Sequence, residues 1–313
     1  MKKSLHKFIR PVNLIPLFLL LNSACCSPLN LPIGPQQSAL SELNIDEILS
    51  KDRTCTNLVE DQINAWQSRD IEYIKQIYTD DIVHFDGYPA YVGFDEVVDL
   101  AERMWMRFSK WEMKAGEVYI SKNECVGEWI NWNVLGIPQD SPGMEFDLIN
   151  FRDDKISFWR LFYDQKFWEI FNEPHKIDND FLNQFASTWS GGIKKEIRQL
   201  YSRDAVYEDT LFNISHTGSN NISIYASSYF DQFPQAKWTV MHTFAERKAL
   251  SGFKDDYPFA SQGALFEITL QGEDTEPCQI RAVIILTPNH EKQIIKQQIF
   301  YDAESLVECG LAK

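Results

Sequence analysis

The sequence predicts an α+β chain whose fold is built twice, and three observations carry that reading. Residues 74–86, IKQIYTDDIVHFD, return as IRQLYSRDAVYED at 197–209, with Trp66 and Trp189 each eight residues upstream. LFYD at 161–164 returns, in the same order, as IFYD at 299–302. Each copy also reads as helical spacing followed by four strand-like runs. Segments that match in order but at different spacing mark diverged copies of one domain, and the period is far longer than a solenoid repeat. A helical section followed by antiparallel strands lays helices on one face of a sheet.

In the first copy, Leu58, Ile63 and Trp66 give helical spacing over 53–67, and Ile71, Ile74, Ile77 and Tyr78 give it over 70–79. Asp80-Asp81 breaks the pattern, and Ile82–Asp86 reads as a short strand. A loop at Gly87–Gly93 leads into a third helix over Phe94–Phe108, whose apolar face holds Val97, Val98, Ala101, Met104 and Trp105. Strand-like runs follow at 111–121, 124–135, 144–152 and 156–165, separated by polar or turn-forming residues. The second copy repeats this with helices near 178–190 and 193–202 and a strand at Ala205–Asp209. A helix near 219–231 precedes strands near 236–249, 259–271, 277–287 and 292–302. The added loop Ser251–Pro258 accounts for much of the extra length. The stretch 166–180 contains Pro174 and several charges and reads as the link.

The N-terminus has a different character. Lys2, Lys3, Lys7 and Arg10 precede an apolar run, Leu14–Leu21, and then the small residues of Asn22–Ser27. This is the form of a secretory signal peptide, and the run is too short to span a membrane. Cys25 after Ser23-Ala24 resembles a bacterial lipoprotein cleavage site, although Asn22 stands where an apolar residue is preferred. Lipidation of Cys25 and an ordinary cut near Ala24 both remain open. The boundaries that follow are a signal peptide at 1–24, a Pro/Ser/Asn/Gln-rich tether at 25–50, a first domain at 51–172, a linker at 173–180 and a second domain at 181–313. The localisation expected is export to the periplasm or cell envelope, with any membrane contact made only through a lipid anchor.

The formal net charge is −15, and loss of the leader's four cations takes it to −19. No basic stripe offsets this, so nucleic acid is excluded as a partner, and charge gives no attraction to anionic lipid. Apart from Cys25 and Cys26, the cysteines are Cys55, Cys125, Cys278 and Cys309, two in each copy. An exported protein can oxidise them, and Cys55–Cys125 with Cys278–Cys309 is the simplest of three pairings. No Cys/His spacing calls for a metal, and nothing calls for a cofactor. The Asp-Asp pairs at 80–81, 153–154 and 255–256 read as solvated turns without EF-hand spacing. His175, His216, His242 and His290 are scattered.

YTDDIVHFDG, YVGFDEVV and FWRLFYD, in this order of elements, resemble the nuclear transport factor 2-like superfamily, which contains SnoaL-like proteins and ketosteroid isomerase. The resemblance covers roughly 53–170 and 178–303. It implies two tandem cone-shaped domains, each with three helices packed on a curved, mostly antiparallel sheet around an apolar pocket. It also implies sheet-to-sheet pairing, so that the two copies form a pseudo-dimer within one chain. Trp129 and Trp132 project to opposite faces, which fits a sheet covered on both sides.

The same resemblance places the isomerase's general base at Asp86, and at Asp209 in the second copy. A desolvated carboxylate can serve as such a base. The isomerase's neutral acid maps to Asp147, whereas the second copy has Val283 or nearby apolar residues there. The family's helix-one tyrosine maps to about Gln62 and Phe185 and is missing. The epoxide-hydrolase Asp after Trp159-Arg160 is replaced by Leu161, with Ile299 in the second copy, so that chemistry is not expected. From the residues themselves, His84 and Asp86 share one strand face, as do Tyr207 and Asp209. Trp159, Leu161 and Tyr163 also share a face, which the resemblance turns toward the cavity. Seven of the nine tryptophans lie in the first copy, and such a wall suits a planar or apolar ligand.

Two functions follow. One is a binding module for a small apolar or aromatic molecule or a protein partner, lined by Trp159, Leu161, Tyr163, Tyr207 and Asp209. The other is a lyase or isomerase with Asp86 as general base and Asp147 or His84 as the second polar group.

Overall fold

The computed structural model describes residues 44–86, 90–132, 137, 140–171, 177–246, 261–272 and 276–311. The signal peptide, most of the tether, Cys25, the 251–258 loop, Asp255-Asp256, His175 and residues 172–176 of the link lie outside the described residues. The first segment runs α1 (Ile45–Ser68), α2 (Ile71–Ile77), β1 (Tyr78–Phe85), β2 (Tyr91–Val92), α3 (Phe94–Arg107), β3 (Glu112–Ile120), β4 (Glu124–Trp132), β5 (Gly143–Arg152), β6 (Lys155–Asp164) and α4 (Gln165–Phe171). The second runs α5 (Asn179–Gly191), α6 (Lys194–Leu200), β7 (Tyr201–Asp209), β8 (Ile214–Thr217), α7 (Ser219–Gln232), β9 (Lys237–Glu246), β10 (Gln262–Leu270), β11 (Cys278–Pro288), β12 (Ile294–Tyr301) and α8 (Ala303–Glu308). The result is a mixed α+β fold.

Local chemistry sets the boundaries. The Asn44 side chain accepts from the Asp46 N–H at 2.9 Å, so α1 starts at Ile45, inside the stretch read as tether, and buries Ile48. Asp70 caps α2 through the N–H groups of Glu72 and Tyr73. Gly93 and Gly218, at φ 90° and 89°, turn the chain into α3 and α7 where other residues would be strained. Asp153 and Asp154 both take positive φ in the β5–β6 hairpin, the backbone of a type I′ turn. Asp80 and Asp81 differ from expectation: β1 begins at Tyr78, and Asp81 pairs with Arg152 at 2.6 Å.

The strands β3–β4–β5–β6 form one antiparallel sheet and β9–β10–β11–β12 another. Both edges of one sheet bond to the other. β6 runs against β9 through Phe162↔Glu246, Tyr163↔Ala245 and Asp164↔Phe244, while β3 meets β12 at Ile120↔Tyr301. Eight strands thus close into a ring, which leaves fewer free edges. Its interior is a separate apolar core that includes Tyr119, Val126, Phe146 and Phe162 from the first segment and Phe244, Val283, Ile285 and Phe300 from the second. Phe146 and Phe244 stack with centroids 4.2 Å apart. The Arg160 guanidinium spans the β6–β9 seam to the Glu246 carboxylate, with Nε–Oε1 at 3.0 Å.

Helices cover the outer faces, and α1 lies on β3 and β4. Gly127 permits this approach, since a Cβ there would sit 2.5 Å from the Val59 side chain. Cys55–Cys125 staples α1 to β4, with Cα atoms 6.3 Å apart, and Cys278–Cys309 staples β11 to α8 at 5.7 Å.

The repeated Phe-Tyr-Asp has a structural explanation, with each residue taking one task. Phe162 and Phe300 fill the ring interior. The Tyr163 hydroxyl donates to Asp86 Oδ1 at 2.8 Å, and the Tyr301 hydroxyl to Asp209 Oδ2 at 2.5 Å. Asp164 and Asp302 accept from the first N–H groups of α4 and α8. These caps nucleate a fourth helix in each segment, where three were expected, and α4 occupies part of the stretch read as link.

Candidate functional site

β1 and β6 run parallel, with His84 beside Trp159, and β5 lies antiparallel on the other side of β6. α1 and α3 roof the concave side of this sheet. Between them is a cavity of about 130 Å³. His84 and Asp86 line it from the end of β1, and Trp159, Leu161 and Tyr163 from β6. Trp129 comes from β4, Glu145 from β5, and Trp66 from α1. Half-buried Met104, Phe108 and Trp111 form the rim with exposed Arg107. The rings pack edge-on and stacked, with centroids 5.3 Å apart for Trp66–Trp159 and 5.6 Å for Trp129–Trp159.

Asp147 does not line the wall. It is fully buried behind Trp159, whose Nε1–H donates to Asp147 Oδ2 at 2.6 Å. Glu145, two residues earlier on the same strand face, takes the wall position instead. It was missed as a candidate, although its period-two spacing from Asp147 carries the signal. At the expected tyrosine position, Gln62 donates through Nε2 to the Tyr78 hydroxyl at 2.9 Å, and Trp66 Nε1 donates there at 3.0 Å. The tyrosine hydroxyl bonded to this position is that of Tyr78, the first residue of β1, which is buried and does not line the cavity.

Burial raises the carboxyls of Glu145 and Asp147 well above the usual range. For Glu145, the charges of Asp147, Asp86 and Asp164 add to this. For Asp147, the Trp159 hydrogen bond opposes it and Asp86 reinforces it. Burial holds His84 down to about 3, so its imidazole is neutral at ordinary pH. His84 Nδ1, Trp129 Nε1 and Asp147 Oδ1 are buried without a hydrogen-bond partner. Such orphaned groups are rare in folded proteins. Chemically, the cavity offers an acceptor at Asp86, the Glu145 carboxyl held toward its protonated form by burial, and an indole-rich apolar wall.

In the second segment, strand register and helix starts put different residues at the same places. Tyr207 and Asp209 replace His84 and Asp86, and His216 faces Tyr207 as Tyr91 faces His84. Ala282 and Ile284 stand where Glu145 and Asp147 do, because Val283 pairs with Phe300 as Phe146 pairs with Phe162. The apolar residue opposite Asp147 is thus Ile284 rather than Val283. Counting from Gly93 and Gly218, Tyr225 and Tyr229 replace Leu100 and Met104. Tyr225 packs on Tyr207 at 5.2 Å and Tyr229 on Trp189 at 6.0 Å. Asp209 is buried and pushed up to about 7 by desolvation, against the Tyr301 hydrogen bond.

Among the described residues, no group of three or more His, Cys, Asp or Glu is arranged to hold a metal. None of the described helices is long and apolar enough to cross a membrane.

The SnoaL-like domain family model matches residues 59–170. Among solved structures, the chain is similar to a hypothetical protein with a ketosteroid isomerase-like fold from Catenulispora acidiphila, in complex with trimethylamine. Identity there is 16%, over 43% of this chain and 95% of that one, with TM-score 0.33. It is similar to a protein of Shewanella putrefaciens assigned as a SnoaL-like polyketide cyclase, at 11% identity over 41% and 81%, TM-score 0.33. It is also similar to the epoxide hydrolase/cyclase-like enzyme SalBIII, at 15% identity over 39% and 88%, TM-score 0.30. No curated protein matches the chain. Residues 59–170 thus match the SnoaL-like domain family, within a larger mixed α+β fold.

Proposed function

We propose that the protein binds a small apolar or aromatic molecule in the first-segment cavity, and that the second segment is a filled companion of the same ancestry. On this reading, 51–172 and 181–313 are tandem cone-shaped SnoaL-like domains, paired as a pseudo-dimer through the eight-strand ring. The observation that carries it is the set of exchanges Leu100/Tyr225, Met104/Tyr229, Glu145/Ala282 and Asp147/Ile284. Two tyrosines occupy positions that are smaller in the first segment, and two carboxyls are gone, while the surrounding frame is kept.

The test is tryptophan fluorescence titration with phenol, indole and toluene. Saturable quenching in the parent should fall at least about 100-fold in affinity in Leu100→Tyr/Met104→Tyr, with Tm nearly unchanged. No saturable ligand, or equal binding by the variant, would sink the reading.

Export and anchoring belong to the same proposal. Residues 1–24 would be removed, and Cys25 would carry the lipid. Two disulfides suit an oxidising compartment. Mass spectrometry of protein from its host's membrane fraction should find diacylglyceryl on Cys25. An unmodified chain cut near Ala24 would end the lipoprotein part.

A second reading, a lyase or isomerase, is favoured by one arrangement. Asp86 is held by Tyr163 beside an acid pair that burial pushes toward the protonated form. Here Asp86 accepts a proton from carbon while Glu145, with Asp147 behind it, donates to the developing oxyanion. The probe is 5-nitrobenzisoxazole, which opens when a desolvated carboxylate removes its proton. Asp86→Asn should slow it about 10²–10⁴-fold; an unchanged rate removes Asp86 as base.

A further inference from the structure

Resting on the ligand-binding reading, we propose that Trp129 is a specificity-determining residue of the first-segment cavity. Its indole N–H donates to the ligand, so the occupant is a one-ring aromatic molecule that carries an acceptor oxygen beside the ring.

The first argument is a contrast among the indoles. Trp66, Trp111, Trp129 and Trp159 all line the cavity. Trp66 donates to the Tyr78 hydroxyl at 3.0 Å, Trp111 to Asn131 Oδ1 at 2.8 Å and Trp159 to Asp147 Oδ2 at 2.6 Å. In the second segment, Trp189 and Trp238 likewise donate to tyrosine hydroxyls. Trp129 Nε1 is different. It is buried and has no hydrogen-bond partner among the described residues. A buried donor without an acceptor is costly. One set in a cavity wall is relieved when a ligand brings the acceptor.

The second argument is what flanks it. In the sheet register, Trp129 stands between Ala115 of β3 and Glu145 of β5. Ala115 has no polar side-chain atom. Glu145 lines the cavity too, and burial holds its carboxyl toward the protonated form, in which it also donates. Cross-strand neighbours have Cβ atoms about 5 Å apart. Two donors at that separation suit one oxygen, which has two lone pairs. The Trp129 ring is also fixed in place. It stacks on Trp159 with centroids 5.6 Å apart and planes 26° apart, and Trp159 is itself tied to Asp147. A donor held this way is preorganised for its acceptor.

The third argument comes from the second segment. There Phe266 pairs with Ala282 as Trp129 pairs with Glu145, so Phe266 takes the place of Trp129. Phe266 is fully buried and packs on Phe185 and Trp238. The frame thus accepts a ring at this position without an N–H. The donor is present beside the cavity and absent where Tyr225 and Tyr229 pack against Tyr207 and Trp189. Size sets the rest of the ligand. The cavity of about 130 Å³ is close to the roughly 150 Å³ that accepts benzene, which is room for one ring with a small substituent.

The experiment titrates the full mature chain with benzaldehyde and with styrene, whose vinyl group has the shape of the aldehyde but accepts no hydrogen bond. Calorimetry gives the affinities, and NMR of isotopically labelled indole nitrogens follows the N–H signals. Benzaldehyde should bind about tenfold tighter than styrene. It should also move one indole proton downfield, the signal that Trp129→Phe removes, while styrene leaves that signal without such a shift. Trp129→Phe, the exchange the second segment already carries, should bring the two affinities within about twofold, chiefly by weakening benzaldehyde. Equal binding by the parent protein overturns the proposal and leaves the ligand-binding reading standing, and that comparison needs no variant. A preference for benzaldehyde that survives Trp129→Phe overturns the assignment to Trp129. Binding of neither compound at millimolar concentration overturns this proposal and the ligand-binding reading together.

Discussion

The two segments keep one frame around different interiors. Both retain the Trp–Tyr hydrogen bond between the first helix and the first strand, Trp66 to Tyr78 and Trp189 to Tyr201, and both retain the Tyr–Asp bond from the last strand to the first. Both retain the Gly-initiated third helix and the Asp-capped terminal helix. The groups that differ are those facing the enclosed space. His84 and Tyr91 exchange places as Tyr207 and His216, two apolar helix residues become Tyr225 and Tyr229, and the acid pair becomes Ala282 and Ile284. The frame is what the fold requires, and the exchanged positions are where the first segment departs from plain packing.

The largest test of this contrast is pH. A carboxyl raised in the folded state holds its proton after the unfolded chain has released it. Its contribution is therefore full below the unfolded value near 4 and is lost as pH rises toward the folded value. For Asp209 the loss runs from about 4 to about 7, roughly 4 kcal/mol at about 1.4 kcal/mol per unit. For Glu145 and Asp147 the loss runs in the same direction, upward from the same starting point. His84, depressed to about 3, acts in the opposite direction below pH 6.5 and cancels when variants are compared with the parent. In urea titrations, Asp209→Asn should gain on the parent up to pH 7 and then hold a constant gap. Glu145→Gln/Asp147→Asn should likewise gain on the parent as pH rises above about 4. Parallel curves for parent and variants would remove the buried-acid description.

The disulfides come next. They close loops of 70 and 31 residues, each worth about 4 kcal/mol by loop entropy. Cys55→Ala/Cys125→Ala frees α1, which supplies Trp66 to the cavity, so it should lower both urea stability and ligand affinity. Cys278→Ala/Cys309→Ala should lower stability by a similar amount and leave affinity alone. Equal loss of affinity in both would mean that the second segment sets the cavity's shape through the closed ring.

Much of this was legible in the sequence. The element order and the shared face of Trp159, Leu161 and Tyr163 follow from period-two and helical spacing. The α4 and α8 helices did not show, because seven and six residues carry too little periodicity and depend on caps from Asp164 and Asp302. The ring closure did not show either, because β6–β9 and β3–β12 are non-local pairings, one of them a single residue pair. The contrast between Leu100 and Tyr225 was also hidden. Both fit the apolar face of a helix, and only the opposite wall decides whether extra volume fills a space. Asp147 was read onto the wall because its face is right; the Trp159 indole, packed in front of it, displaces it from the surface.

The smallest predicted effect sharpens the Tyr–Asp pair that both segments keep. Tyr301 and Asp209 are both buried, whereas Asp86 is half-buried at the cavity wall. A hydrogen bond to a buried carboxylate is worth about 1.5–3 kcal/mol, against about 0.5–1.5 for an ordinary one. Tyr163→Phe should therefore cost less than Tyr301→Phe at pH 8. The Tyr301 bond also lowers the Asp209 value, so removing it pushes that carboxyl further up. At pH 5 Asp209 is protonated in either protein, and the cost of Tyr301→Phe should shrink to about 1 kcal/mol. Urea denaturation of both variants at pH 5 and pH 8 measures this. A Tyr301→Phe cost that is the same at both pH values would mean that Asp209 does not titrate between them.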